Sequence, residues 1–311
     1  MILFSIPVHE RPEVVVNQVE NFRHFNPGCQ IVLHISAWMP EPVLKTMKMA
    51  LSDHPYVYLN DTRIWSGYAD GTQMKMHIIN YLYAQKLTLE FDYFCPHASN
   101  DMFVRDGLEE YMKRFDAGGS FHERDPKNKT WIHGYRSLFD TSLKRIMKKY
   151  DLFKIYGGQL EGSFYRKKIM DEVVVRAMTY GFYEIPGVYA HGYSPMGSRL
   201  AGKKKIRAIF NRICRGVFYA KEEVYFTTLS QDLVTTRAPF NYCYVNWLDN
   251  LKITKEDVDH VRSGNFDALS YTRHIPVPLN DLQFFAVKRV DRNINDPMRL
   301  YITSLQSLTP H

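Results

Sequence analysis

The sequence predicts an α/β fold, a mixed and mainly parallel sheet flanked by helices. Two observations carry this. Strand-like and helix-like segments alternate from the first residues onward. The second apolar run, CQIVLHIS from Cys29 to Ser36, is continuous rather than alternating, as a strand buried on both faces requires. A strand, a helix and a strand in that order argue for parallel pairing through a crossover connection.

The elements follow in turn. ILFSIPV is apolar and β-prone, and VVVNQVENFRHF then sets Val14, Val15, Gln18, Val19 and Phe22 at helical spacing. After CQIVLHIS comes YVYLN as a short strand, GTQMKMHIINYLYAQKL as a helix, and FDYFCPHASND as a strand that runs into a polar loop. Residues 1–105 therefore read as a nucleotide-binding α/β half. Beyond them, GLEEYMKRF and SLFDTSLKRIMKKY read as helices, FKIYGGQLEGSFYRKKIMDEVVVRAM as strand, turn and helix, and NYCYVNWLD as a late strand. LQFFAVKRVDRNINDPMRLYITSL joins an aromatic strand to a helix that starts near Pro297, since proline suits a first turn.

Composition narrows the classes. With 311 residues, 45% hydrophobic and 23% charged, the chain can bury a sizeable core and lies outside the disordered range. No run of about 18 apolar residues is present to cross a bilayer. Pro7, His9, Glu10 and Arg11 come too early for a signal-peptide core, which gives a cytoplasmic expectation. Cys29, Cys95, Cys214 and Cys243 form no C-x-x-C pair, against a zinc knuckle or a disulfide framework. The net charge of +7 favours a polyanionic partner: nucleic acid, a nucleotide diphosphate or anionic lipid. No RNP, zinc-finger or helix-turn-helix signature supports nucleic acid.

Four blocks together resemble the core-2/I-branching N-acetylglucosaminyltransferase and peptide O-xylosyltransferase family. They are SIPVHERPEVVVNQVENF with IVLHIS; RIWSGYADGTQMKMHIINYLYAQKLTLEFDYFCPHASNDMF; GGQLEGSFYRKKIMDEV with KEEVYFTTL; and FFAVKRVDR. They span most of the chain in the family's order. Two features depart from it. Ser36 stands where relatives often carry an aspartate for the uridine ribose, and 263–284 is a longer link than usual. The resemblance implies a GT-A-like, Rossmann-like fold, in which residues 106–311 form the acceptor-binding and catalytic half of the same domain. It also implies inverting transfer from a UDP-sugar to a glycan or lipid-linked glycan. The absence of the animal members' membrane anchor and disulfides suggests a bacterial-type cytoplasmic enzyme, with UDP-N-acetylglucosamine as first donor and UDP-xylose as second.

Such transfer needs one carboxylate to take the acceptor's proton and positive charge where the diphosphate leaves. Glu223 in KEEVYFTTL matches the family's base, although an acidic pair opening a helix also suits the helix dipole. For the nucleotide sugar, the carboxyl ends of the first two strands place Val8, His9 and Ser36 at the usual ligand edge, and the resemblance points to Asp101 and Lys288, with an arginine from Arg262, Arg273 or Arg289 on the diphosphate. Glu123 and Glu161 match acceptor positions, and Trp65, Tyr68, Trp131 and Trp247 are able to stack on sugar faces, as aromatics in a packed core also do. No metal is expected. The strand-end turn Ser99-Asn100-Asp101 has one acid, and the literal Asp257-Val258-Asp259 reads as a solvated helix start.

GKKKIRAIFNRICRG stands apart from the resemblance. Ile206, Ile209, Phe210 and Ile213 fall at i, i+3, i+4 and i+7 beside six basic residues, so 203–215 suits either peripheral contact with an anionic membrane or packing on the core. A rival class is a non-catalytic carbohydrate- or anionic-lipid-binding protein on a transferase scaffold.

Overall fold

The computed structural model describes residues 1–64, 66–67, 70–124, 131–180, 219–248, 252–269 and 277–306. Trp65, Tyr68, Arg273 and the basic segment 203–215 lie outside the described residues.

The expected α/β architecture is present. A seven-stranded sheet carries β1 (Ile2–Val8), β2 (Gln30–Ile35), β3 (Val57–Leu59), β4 (Tyr93–Pro96), β6 (Ala117–Gly118), β9 (Phe164–Arg166) and β10 (Arg237–Ala238) in the order β10-β6-β9-β4-β1-β2-β3. Every neighbouring pair is parallel except those made by β9, which runs antiparallel to both β4 and β6. Strands from both halves of the chain therefore build one sheet.

All seven residues of β1 and all six of β2 are buried, as their unbroken apolar runs require. One face is covered by α1 (Pro12–Phe25), whose Val15, Val19 and Phe22 pack with Phe4 and Ile6. The other is covered by α3 (Thr72–Lys86), whose Met74, Ile78 and Tyr81 pack with Leu3 and Val32. A helix that the sequence reading passed over, α2 (Glu41–Leu51), buries Leu44, Met47 and Leu51 at helical spacing.

A smaller sheet joins β5 (Asp101–Phe103), β11 (Cys243–Tyr244) and β12 (Ala286–Lys288); its antiparallel register sets Lys288 opposite Asp101. β7 (His122–Glu123) pairs with β8 (Tyr156–Gly157). The helix expected over GLEEYMKRF is the single turn α4 (Leu108–Met112). The helix expected over SLFDTSLKRIMKKY is two, α5 (Ile132–Ser137) and α6 (Thr141–Lys149). Asp140 separates them because its carboxylate accepts from the Ser142 and Leu143 N–H groups and caps α6. Among the described residues the remaining α-helices are α7 (Lys167–Thr179), α8 (Glu222–Leu229), α9 (Lys255–Ser263) and α10 (Pro297–Gln306), the last starting at Pro297 as expected. Among the described residues no helix is long and apolar enough to cross a membrane.

Candidate active site

A cleft of about 330 Å³ opens at the carboxyl edge of β1 and β4, the edge of an open α/β sheet where ligands bind. His9 follows β1 there, and His97, Ser99 and Asn100 follow β4. Lys288, Arg289 and Arg292 come from the end of β12 and the loop after it; Glu222 and Glu223 open α8; Gln73 and His77 come from α3; His133 and Glu161 complete the wall.

The acidic pair is held by its surroundings. Lys221 and the hydroxyls of Tyr219 and Tyr225 all donate to Asp140 Oδ2, at 2.7, 2.8 and 2.9 Å, so the start of α8 is tied to the cap of α6. Gly158 N–H donates to the Glu223 carbonyl at 3.0 Å. A Cβ on Gly157 would stand 2.6 Å from that carbonyl oxygen and 2.7 Å from the Trp131 ring, so this close approach needs glycine. Gly162, at φ +78°, likewise brings the Glu161 turn against Cys243, where a Cβ would fall 2.3 Å from the backbone nitrogen.

Burial pushes both acids up to about 8. For Glu223 the charge of Glu161 adds to burial, while Lys288, a hydrogen bond with Trp131, and Arg124 pull the other way. For Glu222 the charges of Glu223, Glu161 and Asp70 add to burial, and its Oε2 is buried without a hydrogen-bond partner. Lys288 pairs with the Glu161 carboxylate. Burial pulls its pKa down, but the Glu161 and Asp101 carboxylates outweigh it and leave the ammonium above its ordinary range. Arg289 has φ +75°, a left-handed conformation that costs a non-glycine residue on the order of 1–3 kcal/mol. Its guanidinium lies 4.6 Å over the Trp247 ring. Arg292 donates to Glu10 at 2.7 Å, and the Ser99 hydroxyl meets the same Glu10 oxygen, so the β12 loop is tied to the ends of β1 and β4.

No protein-family model matches the chain, and no curated protein matches it. Among the solved structures that align with it are three of sugar-transferring enzymes. A galactosyltransferase, LgtC, in complex with donor and acceptor sugar analogues is 7% identical over 99% of this chain and 96% of its own, at a TM-score of 0.42. A mannosyltransferase from Pyrobaculum calidifontis with GDP-mannose and Mn²⁺ is 10% identical over 55% of this chain and 45% of its own, at 0.31. Core-mannan synthase A from Aspergillus fumigatus, with Mn and GDP, is 10% identical over 62% of this chain and 69% of its own, at 0.32. At these scores the likenesses carry no argument about chemistry, which rests on the cleft itself.

Of the residues singled out in the sequence, the cleft brings together His9, Glu161, Glu223, Lys288 and Arg289. Trp247 stands behind Arg289 and donates to Gln159 at 3.2 Å. Others lie elsewhere. Asp101, expected against the sugar or ribose, is fully buried behind the wall, where its Oδ2 accepts from His97 Nδ1 at 2.8 Å and Ala98 N–H at 2.9 Å. Val8 and Ser36 are buried at the ends of β1 and β2, joined by the Ser36 N–H to the Val8 carbonyl at 3.0 Å, and do not line the cleft. Glu123 is exposed and paired with Lys154 at 2.7 Å, and Arg262 is exposed on α9; both are off the cleft lining. Asp257 closes a capping box with Thr254, and Asp259 accepts from the Tyr301 hydroxyl, so the literal D-x-D is spent on local structure.

Among the described residues no group of three histidine, cysteine or carboxylate side chains is placed to hold a metal ion. The Ser99-Asn100-Asp101 turn does not fit one, because its only acid is turned inward. The sequence reading missed Glu222, Arg292, His77, His97 and His133. For His77 a signal existed: it and Asn80 are polar residues three apart on a helix face otherwise buried as Met74, Ile78 and Tyr81.

Proposed function

We propose that the chain is a GT-A-like glycosyltransferase that moves a sugar, with inversion, from a UDP-sugar to a hydroxyl of a glycan or lipid-linked glycan. The observation that carries this reading is that Glu223 and Lys288, remote in sequence, line one cleft at the ligand edge of the sheet. The diphosphate takes the cationic side, Lys288 with Arg289 and Arg292. The base and ribose take the adjoining hollow of about 230 Å³, which shares His9 with the cleft and is lined by Trp38 and Met39 in the loop after β2 and by Val43 of α2. The half-exposed Trp38 offers a face for stacking on uracil.

The sugar then lies between cations and acids. Glu223 takes the proton of the acceptor hydroxyl as that oxygen bonds to C1. The bond from C1 to the phosphate oxygen breaks on the opposite face, and the leaving charge falls on Lys288 and the arginines. One carboxylate is sufficient for inversion, and Glu161 holds Lys288 in place between turnovers. UDP-N-acetylglucosamine is the favoured donor, UDP-xylose the second, and surface polysaccharide or lipooligosaccharide the setting in which such a transfer is used.

Two substitutions test the two sides of the cleft. Glu223→Gln retains UDP affinity and loses about 10²–10⁴-fold in transfer rate; near-normal turnover removes Glu223 from the mechanism. Lys288→Ala weakens UDP in calorimetry by about tenfold or more, the worth of a charge-assisted hydrogen bond. EDTA leaves transfer unchanged, and an absolute Mn²⁺ requirement contradicts the assignment of the diphosphate to these cations.

A further inference from the structure

Four histidines line the cleft, and their ring nitrogens are committed differently. His97 Nδ1 meets Asp101 Oδ2 at 2.8 Å and its Nε2 meets the Tyr242 hydroxyl at 2.6 Å, so both are spent inside the wall. His9 faces Glu10 at the rim, 3.3 Å away. His133 accepts the Ala220 N–H on Nδ1 at 3.0 Å. His77 sits on the floor, at the end of a buried chain of hydrogen bonds whose direction is fixed by backbone groups.

The chain starts at Thr62, whose N–H is able only to donate and meets Asn60 Oδ1 at 2.9 Å. Asn60 Nδ2 therefore donates to Asn80 Oδ1 at 2.9 Å. Asn80 Nδ2 donates to the Val32 carbonyl, which is able only to accept, at 3.1 Å, and to Ser5 Oγ at 3.0 Å. The hydrogen of Ser5 is left for its other neighbour, His77 Nδ1, at 2.9 Å. Nδ1 is thus an acceptor, and the ring proton resides on Nε2. Burial, reinforced by His97, His34 and Lys288, lowers the ring's pKa to about 3, so the imidazole stays neutral. Among the described residues nothing else engages this ring by hydrogen bonding, and His77 lines the cleft.

We propose that His77 is a specificity-determining residue of the donor site, whose Nε2–H donates to an uncharged oxygen of the transferred sugar, a ring hydroxyl or an acetamido carbonyl. This rests on the reading of the cleft as a nucleotide-sugar site. A neutral donor adds little on a diphosphate already facing Lys288, Arg289 and Arg292. The His77 ring lies 6.4 Å from that of Phe226 on α8, toward the acidic helix, where the sugar stands in the transfer geometry. A buried hydrogen-bonding group also rejects analogues that lack its partner, because it is then left unpaired. The Asn60, Asn80 and Ser5 side chains, polar and fully inside the sheet–helix layer, act as positioning residues that hold one tautomer.

The test is calorimetry of wild type, His77→Asn, His77→Gln and Ser5→Ala, each checked by thermal melting, with UDP and with UDP-N-acetylglucosamine as probes. Asparagine keeps an acceptor for Ser5 but is too short to reach the cleft, whereas glutamine places an N–H near the Nε2 position. His77→Asn is expected to weaken UDP-N-acetylglucosamine about tenfold and leave UDP unchanged, and His77→Gln to recover most of the loss. Ser5→Ala, which frees the tautomer without removing the ring, is expected to weaken the sugar nucleotide alone. Equal losses for both probes, or no loss for either, overturn the role of His77 and leave the donor site standing. Wild-type protein that binds neither UDP nor UDP-N-acetylglucosamine nor UDP-xylose overturns the donor site and this inference with it.

Discussion

Glu223 is the residue on which the proposed chemistry turns, and its environment sets a sign that is measurable. A base must be ionised to act, and burial beside Glu161 holds Glu223 protonated up to about pH 8. The rate at low substrate should therefore rise with pH through about 8 and then level; because Glu222 titrates in the same range and interacts with it, the rise belongs to the pair. A rate that is flat from pH 6 to 9 would contradict the assignment. The same shift bears on stability. Both folded pKa values are raised above the ordinary 4.5, so between pH 4.5 and about 8 the native protein holds protons that the unfolded chain has released. The free energy of unfolding consequently falls as pH rises across that window and levels above it. Glu223→Gln removes one of the two penalties, and its melting temperature should exceed the wild type's at pH 8, by roughly 2–4 °C per kcal/mol recovered, with the difference closing toward pH 4.5. Scanning calorimetry at the two pH values checks it.

At the scale of elements, α8 presents its acids only because other segments hold its first turn. Asp140 is the anchor: a buried carboxylate that accepts from Lys221, Tyr219 and Tyr225 while capping α6. Burial raises its pKa, but Lys221 and these hydrogen bonds outweigh that and keep the carboxyl below its usual range. Asp140→Ala strands Lys221 without its partner and should cost about 3–5 kcal/mol in urea unfolding, the cost of breaking a buried pair from one side. A loss under 1 kcal/mol would show that α8 is held in some other way. What was legible in the sequence follows the same physics. The segments β1, α1, β2, α3 and β4 announce themselves through long apolar patterns of the right period. The two-residue strands β6, β7 and β10 have no period to read, because distant partners rather than their own residues specify the pairing. SLFDTSLKRIMKKY keeps helical spacing across Asp140, yet an aspartate that is free to cap ends one helix and starts the next.

For the molecule as a whole, the sheet order does the gathering. β1 and β4 lie side by side at its centre, β9 turns back beside them from the Glu161 loop, and β12 reaches the same edge through its pairing with β5. Residues 9, 161, 223, 288 and 289, to which strand-end placement and the family resemblance pointed, meet in one cleft as a result. Asp101 fell on the wrong side because strand-end position was legible while side-chain direction was not; its carboxylate turns inward to hold His97. His77 went unread because its role depends on Ser5, Asn60 and Asn80, which only folding brings together. The most direct test of the central claim is a crystal structure of the protein with UDP. The diphosphate should lie within hydrogen-bonding distance of Lys288 and an arginine of the Arg289–Arg292 loop, leaving open space toward Glu223. A nucleotide bound away from Lys288, or one whose phosphates sit on the Glu223 side, would contradict the account.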